Sequence, residues 1–364
     1  MELSTDLWLS ILQKTRSIRN CDKLYSALPP QTRAELKEAY NSHKESINMK
    51  IGFAFQNRLS LYNSDHLETE FRLDYIIAVR SVQNWDTPAG KRNCVVSATK
   101  SGVVMFWDAT TMECIKSVDV GASIIDIEFH PTKSIMLTVD FERFSRKLKI
   151  WRFDESGNVV RIAIESLGDD KKLFYFHPTA PEVYIFASYY SYNPYNWKLS
   201  KVYICNYDTN SVSFSDRIQS FMYLSNYYAP LKINGDGSFE CVKYEGGANS
   251  FCKFVISNFE IEEIEQQVIC KNSGIVSSLV IWNFLRIGAD VYFYSNRAGD
   301  SSIYKQTGDQ SKIIYQTTNT ISRIYHKNGF IVFVEKDELK FVDLETLSMD
   351  VVSLGEAPVD FCVM

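Results

Sequence analysis

The sequence predicts a mainly β fold, a closed ring of four-stranded blades behind a small helical head. Three observations predict it. Short segments rich in Val, Ile, Tyr and Phe alternate with polar residues through most of the chain, one phrase recurs at the spacing of a blade, and the last residues read as a strand missing from the first set.

The head covers residues 1–45. Ser4, Thr5 and Asp6 offer N-cap chemistry before the helical run "LWLSILQK", and Pro29-Pro30 opens a second helical run, "QTRAELKEAY". On a helical wheel Leu7, Trp8, Leu9, Ile11 and Leu12 spread over about 200°. An ordinary surface helix buries a stripe of about 100°, so this one needs a second partner. Leu24, Leu28, Leu36, Ala39 and Tyr40 offer too narrow a stripe to cover it alone.

Residues 46–364 are strand and turn. "GVVMFWDATTMECIKSV" at 102–118 holds two alternating stretches around Trp107-Asp108, and "RKLKIWRFDESGNVVRI" repeats it with Trp151, 44 residues later. "FHPT" at Phe129 returns at Phe176, 47 residues on. Both spacings fall near the ~40–45 residues of a propeller blade. "LKFVDLETLSMDVV" sets Phe341-Val342-Asp343 in the places of Phe106-Trp107-Asp108. Sets of four strands fit at 74–119, 120–168, 169–217, 218–272, 273–317 and 318–355, with turns such as Asn234-Gly235-Asp236-Gly237 and Asn328-Gly329 between strands. Three strands at 48–73 and one at 358–364 remain. A ring hides its edges only when closed, so these four are expected to make a seventh blade that joins the two ends.

The expected fold is therefore a seven-bladed β-propeller behind an all-α head. The Trp-Asp phrases resemble those of the WD-repeat propeller family, in which the pair commonly ends the third strand of a blade. Departures are visible: the family's Gly-His pair is absent, Ser101 stands at the turn Asp, and Cys205 and Tyr304 fall near Trp positions. The head resembles an F-box, matched by Leu3, Asp6, Leu7, Trp8, Ile11 and Leu12, with Asp22-Lys23-Leu24 at the start of its second helix. Ser4 replaces the usual Pro and Thr15 a usual Leu.

That resemblance implies a Skp-type adaptor of a cullin-RING ubiquitin ligase held by Leu3, Leu7, Trp8, Ile11, Leu12 and Leu24, with the propeller selecting a target protein. The alternative is a propeller scaffold whose head is an intramolecular cap.

Target contacts are expected where the loop between second and third strands meets the connector to the next blade. "YYSYNPYNW" and "FMYLSNYYAP" put Tyr189, Tyr190, Tyr192, Tyr195, Trp197, Tyr223, Tyr227 and Tyr228 there, and Tyr and Trp dominate binding hot spots. Packing between blades is the competing role for half of them. Arg143, Arg146, Lys147 and Arg297 belong to the same face and have the chemistry to hold a phosphorylated target, or else form a solvated charged loop. "EIEEIEQQ" at 260–267 reads as an outer strand whose charges block edge pairing.

Composition limits the rest. The chain is 364 residues long, 45% hydrophobic and 23% charged, which suits a large core. A net charge of −5 with interspersed signs and no basic block argues against nucleic acid. No apolar run is long enough for a membrane span, and the N-terminal stretch lacks the positive charge of a signal peptide. Eight cysteines without a C-x-x-C pair suit reduced thiols, so a cytoplasmic or nuclear protein is expected. G-x-S-x-G, H-E-x-x-H, phosphate-loop and zinc-spacing motifs are missing. No catalytic residue, metal or cofactor is expected, and His130 and His177, each before Pro, read as turn punctuation.

Overall fold

Alternating strands bury one face readily but leave their edges unpaired, and closing the set of sheets into a ring is one way to protect both. The computed structural model closes in this way. It describes Leu9 and residues 18–364 except 48, 64–65, 88–89, 112, 122, 143–144, 154–158, 167–171, 191–196, 209–210, 216–222, 225–231, 246–247, 258–259, 270–279, 298–299 and 309. Seven antiparallel sheets each follow a four-strand path. Blades 1 to 6 occupy residues 76–119, 123–166, 172–215, 232–269, 280–317 and 325–353, close to the spans expected from the repeat.

Blade 7 joins the two ends of the described propeller. The strand Asp360–Val363 lies antiparallel to Lys50–Phe55, pairing Asp360 with Ala54, Phe361 with Phe53, Cys362 with Gly52 and Val363 with Ile51. Flanking bonds from Val359 N to Ala54 O (2.6 Å) and Met364 N to Lys50 O (2.9 Å) extend the ladder. Phe361 is 2% exposed, stacked on Phe53 and edge-on to Tyr325 of blade 6.

Apolar layers fill the spaces between blades. Trp85, Phe106 and Phe153 bind blade 1 to blade 2, and Leu148, Phe174 and Ile185 bind blade 2 to blade 3. Tyr184 meets Phe239 edge-on between blades 3 and 4, while Phe251 meets Phe293 between blades 4 and 5. Ile303 and Phe333 join blades 5 and 6, Val332 and Phe53 join 6 and 7, and Leu61 and Val95 join 7 and 1.

The Trp-Asp phrase has two tasks. Trp107 Nε1 donates to Ser97 Oγ (3.1 Å) and Trp151 Nε1 to Thr138 Oγ1 (3.0 Å), tying the third strand to the second. Asp108 Oδ1 accepts the backbone N–H groups of Thr110 and Thr111 and so shapes the following turn; Asp343 does the same for Glu345 and Thr346. His130 Nδ1 accepts from Thr132 N and Lys133 N, and His177 Nδ1 from Thr179 N and Ala180 N, matching their reading as turn residues.

Expectations in both parts of the chain are corrected. The helical run after Pro29-Pro30 is divided: helices span Pro30–Glu35 and Lys37–Ile47, because Leu36 leaves helical geometry (φ −93°, ψ 3°) while burying its side chain with Cys21 and Leu28. A helix over Ile18–Ala27 precedes them, so Asp22-Lys23-Leu24 lies inside a helix and does not start one. In the propeller, Tyr223–Leu224 does not begin blade 4. It pairs with Trp197–Asn206 as an added strand of blade 3, and blade 4 starts at Lys232–Ile233.

Candidate functional site

The head carries its own apolar cluster. Cys21, Leu28 and Leu36 are buried, with Leu9, Leu24, Tyr25 and Tyr40 packed around them. Tyr25 stacks on Tyr40 with ring centroids 3.8 Å apart and donates its hydroxyl to Arg33 O (2.8 Å). Of the six expected adaptor contacts, Leu24 therefore packs within the head, and Leu3, Leu7, Trp8, Ile11 and Leu12 lie outside the described residues.

The two aromatic stretches do become neighbours, through backbone pairing. Tyr189 and Tyr190 continue the second strand of blade 3, Trp197 opens its third, and Trp197 and Lys198 pair with Leu224 and Tyr223. The expected loop is thus shorter than read, with Tyr190 opposite Trp197. Tyr192, Tyr195, Tyr227 and Tyr228 lie outside the described residues, as does Arg143. Arg146 and Lys147 are half-buried on the third strand of blade 2, and Arg297 ends the second strand of blade 5 opposite Asp300.

Register brings together a set that the sequence reading did not single out. Each blade is a meander, so all seven innermost strands run the same way along the central channel. In blades 1, 2, 4, 5 and 7 a bulge marks the third strand, at Trp107, Trp151, Phe254, Tyr304 and Tyr62, which aligns the blades. Counting from that position through the ladders places one inner-strand residue per blade at a common level. They are Arg80, Glu128, Tyr175, Lys232, Asn283, Tyr325 and Cys362 in blades 1 to 7. Two residues nearer the strand starts come Asp126, Arg323 and Asp360.

Arg80 is the hub of this wall. Its Nη1 lies 2.6 Å from Asp360 Oδ2, and its Nη2 is 4.0 Å from Asp126 Oδ1. Asp360 also accepts from Val79 N (3.2 Å) and Phe361 N (3.0 Å), Asp126 accepts from Ile127 N (2.9 Å), and Tyr325 OH donates to Phe361 O (2.9 Å). Burial disfavours the Arg80 charge, but Asp360, Glu128 and Asp126 override it and raise its pKa above the usual arginine value. Asp126 and Glu128 go the other way. Enclosure in the channel raises both carboxyls, and Arg80 offsets this only in part. The Asp126 side chain nevertheless keeps half its surface open, since the channel admits water to a group that protein surrounds.

A repeat signal could have found part of this ring. Glu128 and Tyr175 each precede the same "FHPT" phrase, so aligning the two phrases sets them at one level. Among the described residues, no group of three or more His, Cys, Asp or Glu is arranged to hold a metal ion.

No protein-family model matches the chain, and no curated protein sequence matches it. Solved structures do. The chain is similar to a functionally unknown protein from Desulfotomaculum acetoxidans DSM 771, with 10% identity over 86% of this chain and 98% of that one and a TM-score of 0.58. It is similar to Sqt1 of Saccharomyces cerevisiae, with 12% identity over 84% and 83% of the two chains and a TM-score of 0.51. The β-propeller domain of Cps50 (Swd1) from Myceliophteria thermophila also aligns, at 12% identity over 83% and 91% and a TM-score of 0.49. At these identities the likeness concerns the fold alone.

Proposed function

We propose that this chain is a non-catalytic interaction scaffold that brings two proteins together, one at the helical head and one on the propeller. The observation that carries this reading is the head's separate core: Cys21, Leu28 and Leu36 pack with residues of the head, and among the described residues that cluster includes none from the propeller. A cap folded onto the ring would instead share its apolar side chains with the blades. A fold of this kind is consistent with protein–protein interaction, because a closed ring frees its loops for contact while its edges stay covered.

More finely, the head is a receptor for a Skp-type adaptor and the propeller selects the target of a cullin-RING ubiquitin ligase. The support is the match over Leu3, Leu7, Trp8, Ile11 and Leu12, together with an apolar arc over Leu7–Leu12 that exceeds what a head of this size can cover. The contribution to the reaction is proximity, since holding a target beside a reactive conjugate raises its effective concentration. The buried thiols of Cys94 and Cys362 suit a reducing compartment, cytoplasm or nucleus.

The test is co-elution of the purified full chain with a Skp-type adaptor. A complex is expected, and Leu7→Asp or Ile11→Asp is expected to abolish it while the melting temperature of the propeller stays unchanged. No complex with the wild-type chain, or a complex that survives both substitutions, removes the adaptor reading and leaves the general scaffold.

A further inference from the structure

The outer strand of each blade has one edge outside the ladder, and charges along it are the usual defence against pairing with another chain. Several outer strands here carry that defence: Lys116 and Asp119 in blade 1, Arg161 in blade 2, and Glu262, Glu263 and Glu265 in blade 4. Blade 6 departs from this. Its outer strand, Met349–Ser353, has Asp350 as its one charge, and Met349 and Val351 stand 44% and 45% exposed on one face. Val352, on the other face, packs with Leu339 and Phe53 toward blade 7. Leu347 leads into the strand 39% exposed and at φ +57°, a left-handed conformation that is costly for leucine and open to glycine. Neither burial nor backbone geometry within this chain accounts for apolar side chains at these three positions.

The backbone of the strand is self-complementary. Asp343 N donates to Ser348 O (2.9 Å) and Leu354 N to Asp337 O (2.7 Å), which fixes the phase of the ladder with the third strand. Bonding direction alternates along an antiparallel strand, so Ser348, Asp350, Val352 and Leu354 turn inward while Met349, Val351 and Ser353 turn their N–H and C=O groups outward. That outward row is symmetric about Val351. Laid antiparallel on a second copy, Val351 meets its own counterpart and Met349 meets Ser353, and the outward groups of all three residues are satisfied by reciprocal bonds. Charge agrees with this register. Asp350 falls opposite Val352 and Glu356 opposite Thr346, so no like charges are opposed. Leu347 falls opposite Gly355, where the space around the backbone is open.

We propose that the outer strand of blade 6 pairs with the same strand of a second copy of this chain, giving a twofold dimer in which Met349 and Val351 of both copies form one apolar strip. The inference goes beyond the scaffold reading and does not depend on it. Two heads and two propellers then belong to one particle, which raises its avidity for any partner that offers two sites. Five residues a side bury less than the about 1,200–2,000 Å² of a stable complex, so a weak dimer is expected, with a dissociation constant on the order of 10–100 µM. An isologous contact of this kind closes at two copies and does not propagate.

The test is sedimentation of the purified full chain at rising concentration, up to about 300 µM. The average mass is expected to climb from one chain toward two. Val351→Lys and Val351→Glu each set a charge against its own copy and are expected to weaken the association at least about 30-fold. An equimolar mixture of these two variants sets lysine against glutamate and is expected to recover the dimer. Val160→Lys, the same charge on the exposed outer strand of blade 2, is expected to dimerise like wild type. A wild-type chain that stays single assigns the strand to a different protein and overturns the proposal. So do a mass that grows past two chains, dimers of Val351→Lys as strong as wild type, and a mixture that fails to recover. Adaptor co-elution of Val351→Lys is expected to be intact; its outcome bears on the head and leaves the mass result standing.

Discussion

His130 is 1% exposed, and its Nδ1 accepts two backbone N–H groups, an arrangement open only to the neutral ring with its proton on Nε2. Burial, and then the Lys133 charge, lowers its pKa from 6.5 to about 4. Between those values the unfolded chain binds the proton and the folded chain does not. Its contribution to stability is therefore complete above pH 6.5 and is lost as the pH falls toward 4. His130→Asn keeps an acceptor without the titration. The stability advantage of wild type over this variant, measured by urea unfolding, is expected to shrink by about 2–3 kcal/mol between pH 7 and pH 4.5; a constant difference would show that the ring takes up its proton while folded. The role of this histidine was legible, since "FHPT" occurs twice in matching turns. The neighbour relations of its counterpart His177 were not: Gly237, 60 residues after His177, has φ +82°, and a Cβ there would lie 2.6 Å from His177 Nε2. Only the packing of blade 4 on blade 3 shows why that turn needs glycine.

Elements show how a degraded repeat keeps its fold. Blades 1 and 2 tie their third strand to the second by a Trp indole N–H, whereas blades 4 and 5 stack Phe254 on Phe239 and Tyr304 on Phe293 across the same strand pair. Aromatic area and geometry replace a hydrogen bond, so the blade persists after its motif has gone. The alternation of apolar residues was enough to place these strands, and the repeat put Tyr304 near a Trp position, but Phe254 carried no signature until the bulges aligned it. The hairpin Phe330–Asp343 of blade 6 adds a polar knot. Glu335 accepts from Lys340 Nζ (2.7 Å), Thr317 Oγ1 (2.6 Å), Asn319 Nδ2 (2.6 Å) and the Tyr315 hydroxyl, binding blade 6 to blade 5. Burial works against the charge, yet these bonds override it and hold the carboxyl at about 2. The stabilisation is present above the ordinary glutamate value of 4.5 and declines as the pH falls toward 2. Glu335→Gln is expected to cost about 2 kcal/mol at pH 7, because it leaves the buried Lys340 ammonium with only the half-exposed Glu338 carboxylate at 3.1 Å and the Tyr315 hydroxyl, and the difference should narrow below pH 4.5. A cost that persists unchanged at pH 2.5 would assign the effect to packing instead.

At the scale of the molecule, closure was the most legible feature, since three strands at one end and one at the other have few ways to satisfy their edges. Phe361 is the residue on which the join turns, lying between Phe53 and Tyr325. Phe361→Ala is expected to cost about 3–5 kcal/mol by the cavity it leaves, with a lowered melting temperature in calorimetry. A loss under 1 kcal/mol would mean that the ring holds without this lock. The channel wall was the least legible part, because periodicity separates inward from outward residues on one strand and says nothing of level between strands. Arg80, Asp126 and Asp360 meet only after the registers of blades 1, 2 and 7 have been counted.

Joining Ile51 to Val363 pairs residues about 300 positions apart in the chain. At 5–20 residues per second of synthesis, the strand Lys50–Phe55 emerges about 15–60 s before its partner exists. For that interval its free edge is a template for any other extended chain nearby, so this protein meets its greatest hazard of misassembly while it is still being made, and a chaperone able to cover that edge would act early in synthesis rather than at its end.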